Sequence, residues 1–145
     1  ACARAADGRG PATALLAAVL EHLELESPEA LIGWAYAEPG WAHLASVAPV
    51  VLRCAEGGDA VARSIVDAAV EELAGSVRAV AEKLGLGGGE GGKFPLVLSG
   101  GILTKGGLVP RVLVERLSEV LPAAAPVHPE APPAMGAALL AVNAL

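Results

Sequence analysis

Ser99, Gly100 and Gly101 follow the apolar run Leu96 to Leu98, and a second glycine pair, Gly106 and Gly107, stands a few residues further on. A short apolar run bounded by glycine has the pattern of a buried strand. A strand that ends in two glycines carries bare main chain, with its amide donors, to the carboxyl edge of a sheet, where open α/β sheets bind ligands. With no side chain in the way, a ribose or a phosphate oxygen can lie against that backbone, and a helix that follows adds its positive end. A tight turn accounts for the same glycines equally well. A P-loop is excluded, because Gly106, five residues beyond Gly101, is followed by Gly107 and not by a lysine and a hydroxyl residue.

Other residues that could do chemistry have plainer explanations. Asp7 and Arg9 could serve as an acid and an anion clamp, but Gly8, Gly10 and Pro11 around them describe the entry to a helix. His22, His43 and His128 are far apart, and Cys2 and Cys54 are isolated, with no CxxC pair and no histidines spaced as zinc ligands. Gly87, Gly89 and Gly92 satisfy a GxGxxG pattern, but it leaves a helix instead of following a strand, so residues 85–93 read as a glycine-rich linker. Trp34, Tyr36 and Trp41 are expected to fill core before they stack on a ligand.

The elements that must position these residues are mostly helical. Pro11, with Asp7 or Gly10 as cap, predicts a helix carrying Leu15, Leu16, Val19, Leu20 and Leu23. Ser27, Pro28 and Glu29 open a short helix that Pro39 and Gly40 end, and Pro49 predicts a kink or break between Trp41 and Ala55. Asp59 caps the clearest helix, whose stripe Val61, Ile65, Ala69, Leu73, Val77, Val80 and Leu84 is expected to face a core. The charged residues Glu71, Glu72, Arg78, Glu82 and Lys83 then form its solvated side. A strand at Leu96–Leu98, a helix from Leu108 to Leu121 with Pro110 in its first turn, a second strand at Ala125–His128 and a proline-started helix with Met135, Leu139, Leu140 and Val142 complete the order.

The chain has 145 residues, one domain's worth, and its formal charge of −6 with 3% aromatic residues argues against nucleic acid, which wants a basic face and stacking rings. The longest charge-free stretch, Ala131 to Leu145, is too short for a bilayer and carries Pro132 and Pro133, so no membrane span is expected. Unpaired cysteines suit a reducing cytoplasm. A start at Ala1, without methionine or a signal-like succession, reads as cut from something longer.

The quoted phrases "LVLSGG" and "PPAMGAALLA", in that order, resemble the last two nucleotide-fold elements of the superfamily that joins sugar kinases, actin and the heat-shock chaperone ATPases. With the stretch "DGRGPATALLAAVLEHLELESPEALIGWAYAEPGWAHLASVAPVV" and the "GDAVARSIVDAA" helix, the chain resembles the carboxyl-terminal part of N-acetylglucosamine kinases, within the BadF/BadG/BcrA/BcrD ATPase group. The resemblance implies a helix-dominated α/β, partial RNase H-like lobe with few short strands over residues 1–145, the amino-terminal lobe being absent. It implies an ATP-dependent kinase acting on the 6-hydroxyl of N-acetylglucosamine, with ATP and Mg2+ as cofactors and a homodimer as one admissible assembly.

By position, the resemblance places Ser99, Gly100 and Gly101 along the adenosine, with Thr104 or Lys105 on the first helical turn reaching the base or ribose. The acidic DGG-type loop, the aspartate that takes the sugar proton and the GDEGS-like stretch of the family do not occur in this sequence. No catalytic residue and no Mg2+ ligand is therefore assigned within the chain, which is expected to be inactive alone as a fragment. Cys2 and Cys54 do not reproduce the cluster-binding cysteines of the related ATPase activators. The alternative is a non-catalytic helical binding or assembly module built from the same fold.

Overall fold

The computed structural model describes residues 1–38, 40–86, 92–103 and 105–143. The order of elements is α1 (Cys2–Ala6), α2 (Ala14–His22), α3 (Ala30–Ala37), α4 (Trp41–Ala45), α5 (Ala48–Glu56), α6 (Ala60–Lys83), β1 (Phe94–Val97), a 3-10 turn (Gly101–Leu103), α7 (Leu108–Val120), β2 (Ala124–Val127) and α8 (Pro133–Asn143). The fold is a helix-dominated α/β arrangement with a two-stranded parallel sheet. Two compact units divide it, residues 1–69 and 70–145, with α6 contributing to both.

In the first unit α2 packs on α1 and α5, and Leu15, Val19, Val50, Ala55, Ala62 and Val66 are its buried residues. Its organising group is Asp59. Gly58, at φ +91°, closes α5 in a left-handed turn, with the Gly58 amide donating to the Ala55 carbonyl and the Asp59 amide to that of Cys54. The Asp59 carboxylate then accepts from the Ala62 amide at 2.8 Å, capping α6, and from the Thr13 hydroxyl and the Ala14 amide at 2.8 Å each. One carboxylate thus ends one helix boundary and ties the starts of α2 and α6 together. The cap of α2 is Thr13, whose oxygen accepts from the Leu15 amide, and not Asp7 or Gly10; residues 11–13 run outside the helix. Asp7 pairs with Arg9 at the surface, which holds its carboxyl below the usual range.

Pro49 breaks the Trp41–Ala55 stretch as expected, but the break falls before it: α4 ends at Ala45 and Pro49 occupies the first turn of α5, where its missing amide costs nothing. Glu24, the one described non-glycine residue at positive φ (54°), ends α2 in the turn that glycine makes elsewhere, with the Leu25 amide donating to the Leu20 carbonyl.

The α6 stripe is offset by one residue from the expected one. Ala62, Val66, Val70, Ala74 and Ala81 are buried, whereas Ile65, Leu73, Val80 and Leu84 are exposed. A row of small side chains lets neighbouring backbone come close, and the bulkier row one residue away turns toward solvent. Gly85, at φ +68°, ends this helix, with the Leu86 amide donating to the Ala81 carbonyl. The first residue of the expected linker is thus a helix cap; Gly87 and Gly89 of the GxGxxG pattern, and Pro39, lie outside the described residues.

In the second unit α7 buries Leu108, Val109, Pro110, Leu113 and Leu117, packs on the 3-10 turn and β2, and follows its expected pattern. Leu113 and Leu117 are 2% and 1% exposed, the best-buried large side chains of this unit. Arg116 fastens α7 to α6, with a hydrogen bond of 3.0 Å to Glu71 and one of 2.9 Å to Glu119, so Glu71 is pinned and not merely solvated.

The strands contain Pro95 and Pro126, which register explains. Phe94 pairs with Ala124 and Leu96 with Pro126 in parallel, and the Phe94 and Leu98 amides donate across to Ala123 and Val127. The even residues of β1 and the odd residues of β2 therefore carry the ladder. Pro95 and Pro126 fall in the other phase, directed to the outer edges, where a missing amide loses no bond. The strands begin one or two residues before their expected places, at Phe94 and Ala124.

Candidate functional site

β1 ends at Val97, and the Leu98 amide makes the last bond of the ladder, to the Val127 carbonyl at 2.8 Å. From there the chain leaves the sheet at its carboxyl edge. Leu98 is buried and Ser99, Gly100 and Gly101 are exposed. Among the described residues the amides of Ser99, Gly100 and Gly101 find no acceptor. Three consecutive donors without an acceptor among the described residues, at a sheet edge, form a surface suited to an anion or a polar ligand edge.

The two glycines serve different physical ends. Gly100 has φ +126°, a conformation that L side chains rarely adopt, so the turn itself requires glycine. Gly101 has no such constraint, and a Cβ added to it would meet nothing within 4 Å. The space beside Gly101 is open, and backbone conformation gives no reason for glycine there.

Lys105 is not on the first turn of a helix. The chain makes a 3-10 turn over Gly101–Leu103, closed by the Leu103 amide on the Gly100 carbonyl at 3.1 Å, and α7 starts only at Leu108. Gly106, at φ +84°, reverses the chain between them and leaves Lys105 exposed in the intervening turn. Thr104 lies outside the described residues. Ser99, Gly100, Gly101 and Lys105 thus share one loop, with Lys105 on its far side in sequence from the strand end.

Of Trp34, Tyr36 and Trp41, only Trp34 is partly covered. Its ring lies 4.0 Å from that of His43, and its carbonyl is 2.7 Å from His43 Nε2, which must donate, since a carbonyl oxygen only accepts. Tyr36 and Trp41 are 86% and 88% exposed, against the expectation that they fill core. Short helices α3 and α4, without a fully buried residue between them, give large rings no interior to enter.

ATP fits the open corner in kind, because bare amides and unobstructed space suit phosphate or ribose oxygens. Among the described residues no group of three or more His, Cys, Asp or Glu side chains gathers that could by itself hold a metal ion. Cys2 and Cys54 are free thiols, and burial pushes that of Cys2 up. No helix among the described residues is long and apolar enough to cross a membrane.

The sequence pattern of the BadF/BadG/BcrA/BcrD ATPase family matches residues 1–141. The chain belongs to that family. It is 37% identical over 143 residues to N-acetyl-D-glucosamine kinase of Dictyostelium discoideum, an alignment that covers 97% of this chain and 44% of that protein. The chain thus spans less than half the length of this relative. No solved structure matches it.

Proposed function

We propose that this chain is the nucleotide-binding portion of an ATP-dependent N-acetylglucosamine kinase, with an RNase H-like lobe whose carboxyl edge receives adenosine at Ser99, Gly100 and Gly101. The observation that carries the reading is the run of three amides, on exposed residues, that find no acceptor among the described residues, beside the open face of Gly101. Family membership and the kinase relative support it. Lys105, and Thr104 beside it in sequence, are the residues proposed to reach the base or ribose.

Phosphoryl transfer rests on holding phosphates and metal and on orienting the nucleophile. The DGG-type loop, the proton-accepting aspartate and the GDEGS-like stretch that do this in the resembled kinases are not in the sequence. These residues alone are therefore proposed to bind ATP without phosphorylating sugar. Calorimetric titration with ATP, alongside an assay for N-acetylglucosamine 6-phosphate, tests both halves of the statement. Binding without product is expected; turnover would overturn the placement of the chemistry outside these residues, and absence of binding would overturn the nucleotide site.

A second reading is favoured by the exposed apolar residues. Every described residue of α8 is exposed, Met135, Leu139, Leu140 and Val142 among them, as are Tyr36 and Trp41. An assembly module would use such surfaces. Under it, ATP would not bind and association would not respond to nucleotide.

A further inference from the structure

Between Arg9 and Arg53 the chain has no lysine or arginine but five glutamates, Glu21, Glu24, Glu26, Glu29 and Glu38, all of them exposed. Among the described residues the first four enter no ion pair, and Glu38 only approaches His43, at 4.0 Å. Helices α3 and α4 lie within this acidic stretch. In α3, Leu31, Trp34 and Ala35 are partly buried, whereas Ile32 and Tyr36, four positions apart, are exposed, as is Glu29 just before the helix. In α4, His43 turns inward onto Trp34, while Trp41 and Leu44, one turn apart, are exposed. Two helices fastened to each other by His43 therefore present four large apolar side chains to solvent, two of them aromatic, among formal charges of one sign. Outward aromatic rings are a mark of surfaces that bind other proteins.

We infer that the α3–α4 surface docks a basic segment of a partner protein, one that carries apolar side chains beside its lysines or arginines. Charge selects this occupant. A second copy of the chain would set glutamates against glutamates, and nucleic acid or an anionic bilayer would set phosphate against them. A basic segment with an apolar side meets the surface on both counts. Its apolar side chains cover Ile32 and Leu44, and its cations pair with Glu29 and Glu38. An ammonium or guanidinium over the ring of Tyr36 or Trp41 adds a cation–π contact. Burial of the two rings supplies most of the affinity, and the glutamates supply orientation and a fast, salt-sensitive encounter. The inference does not depend on a nucleotide at the glycine corner, whose residues belong to the other unit.

The test is calorimetric titration of the full chain with a two-heptad peptide of leucine and lysine at helical spacing, against the same peptide with glutamate for lysine. Three double variants accompany the wild type: Tyr36→Ser with Trp41→Ser, Glu29→Gln with Glu38→Gln, and, remote in sequence, Glu56→Gln with Glu72→Gln. Tyr36 and Trp41 are so exposed that serine there leaves the core untouched, and an unchanged melting temperature verifies this. The lysine peptide is expected to bind, and the first two variants to weaken it at least about tenfold each, while the third, which removes the same charge elsewhere, changes it by less than about twofold. Equal weakening by the third variant would reduce the effect to net charge and overturn the assignment. Equal binding of the glutamate peptide would reduce it to general apolar adhesion and overturn it too. No binding, or self-association in sedimentation that Trp41→Ser abolishes, would likewise overturn the basic partner, the latter in favour of a second copy.

Discussion

Replacing Gly100 and Gly101 separately distinguishes a corner built for a ligand from one that is only a turn. At Gly100 a Cβ meets no atom within 4 Å, but φ +126° is a conformation that L residues hold only under strain. Gly100→Ala should therefore destabilise by about 2 kcal/mol, within the range for a strained backbone residue. For a chain of this length that is a fall in melting temperature of roughly 4 to 8 °C. At Gly101 the space is equally open and no positive φ is required. Gly101→Val should leave stability within about 0.5 kcal/mol of wild type, as for surface changes that disturb nothing. The same valine projects its methyl groups into the space assigned to adenosine. Thermal melts paired with ATP titrations read both effects: a melting temperature lowered at Gly100 only, and ATP binding abolished at Gly101. The reasoning is refuted if Gly101→Val binds ATP as wild type does, or if it destabilises the chain as much as Gly100→Ala.

Leu117→Ala, at a side chain 1% exposed, should cost about 2 to 5 kcal/mol in denaturant unfolding; a cost under about 1 kcal/mol would mean that α7 is not packed as described. Glu24→Gly relieves a left-handed non-glycine residue and should raise stability by about 1 kcal/mol, whereas a loss would show that the Glu24 side chain has an unrecognised role. The hydrogen bond from the Ala62 amide, then that from the Thr13 hydroxyl, hold the Asp59 carboxyl below its ordinary 3.8. A lowered folded value means that this contribution is full above the unfolded value and is lost as pH falls through the folded one. Unfolding followed from pH 7 down to acid should thus show a steeper loss in wild type than in Asp59→Asn, and parallel curves would rule the carboxylate out as the acid-sensitive tie.

The order of elements was legible because each boundary had a local chemical cause. Asp59 before α6, Pro110 inside the first turn of α7 and Pro133 at the start of α8 act within one helical turn, and the structure keeps all three. Where neighbours in space decide, the pattern misled. The α6 row that buries is the small one, Ala62, Val66, Val70 and Ala74, since hydrophobicity ranks the larger Ile65 and Leu73 above it but close packing prefers alanine. Thr13 displaces Asp7 and Gly10 as the cap of α2 because its oxygen meets both the Leu15 amide and Asp59, a partner 46 positions away.

The candidate site divides in the same manner. A glycine pair after an apolar run located the corner, and the structure adds that Gly100 needs its conformation while Gly101 does not. The resemblance put Lys105 on a first helical turn, yet Gly106 at positive φ stands between it and the start of α7.

The most direct measurement is the response of backbone amide resonances in the nitrogen-15-labelled chain to added ATP. If the glycine corner receives the nucleotide, the largest changes fall at Ser99, Gly100 and Gly101. Changes centred elsewhere, or spectra unaltered by ATP, would contradict the account.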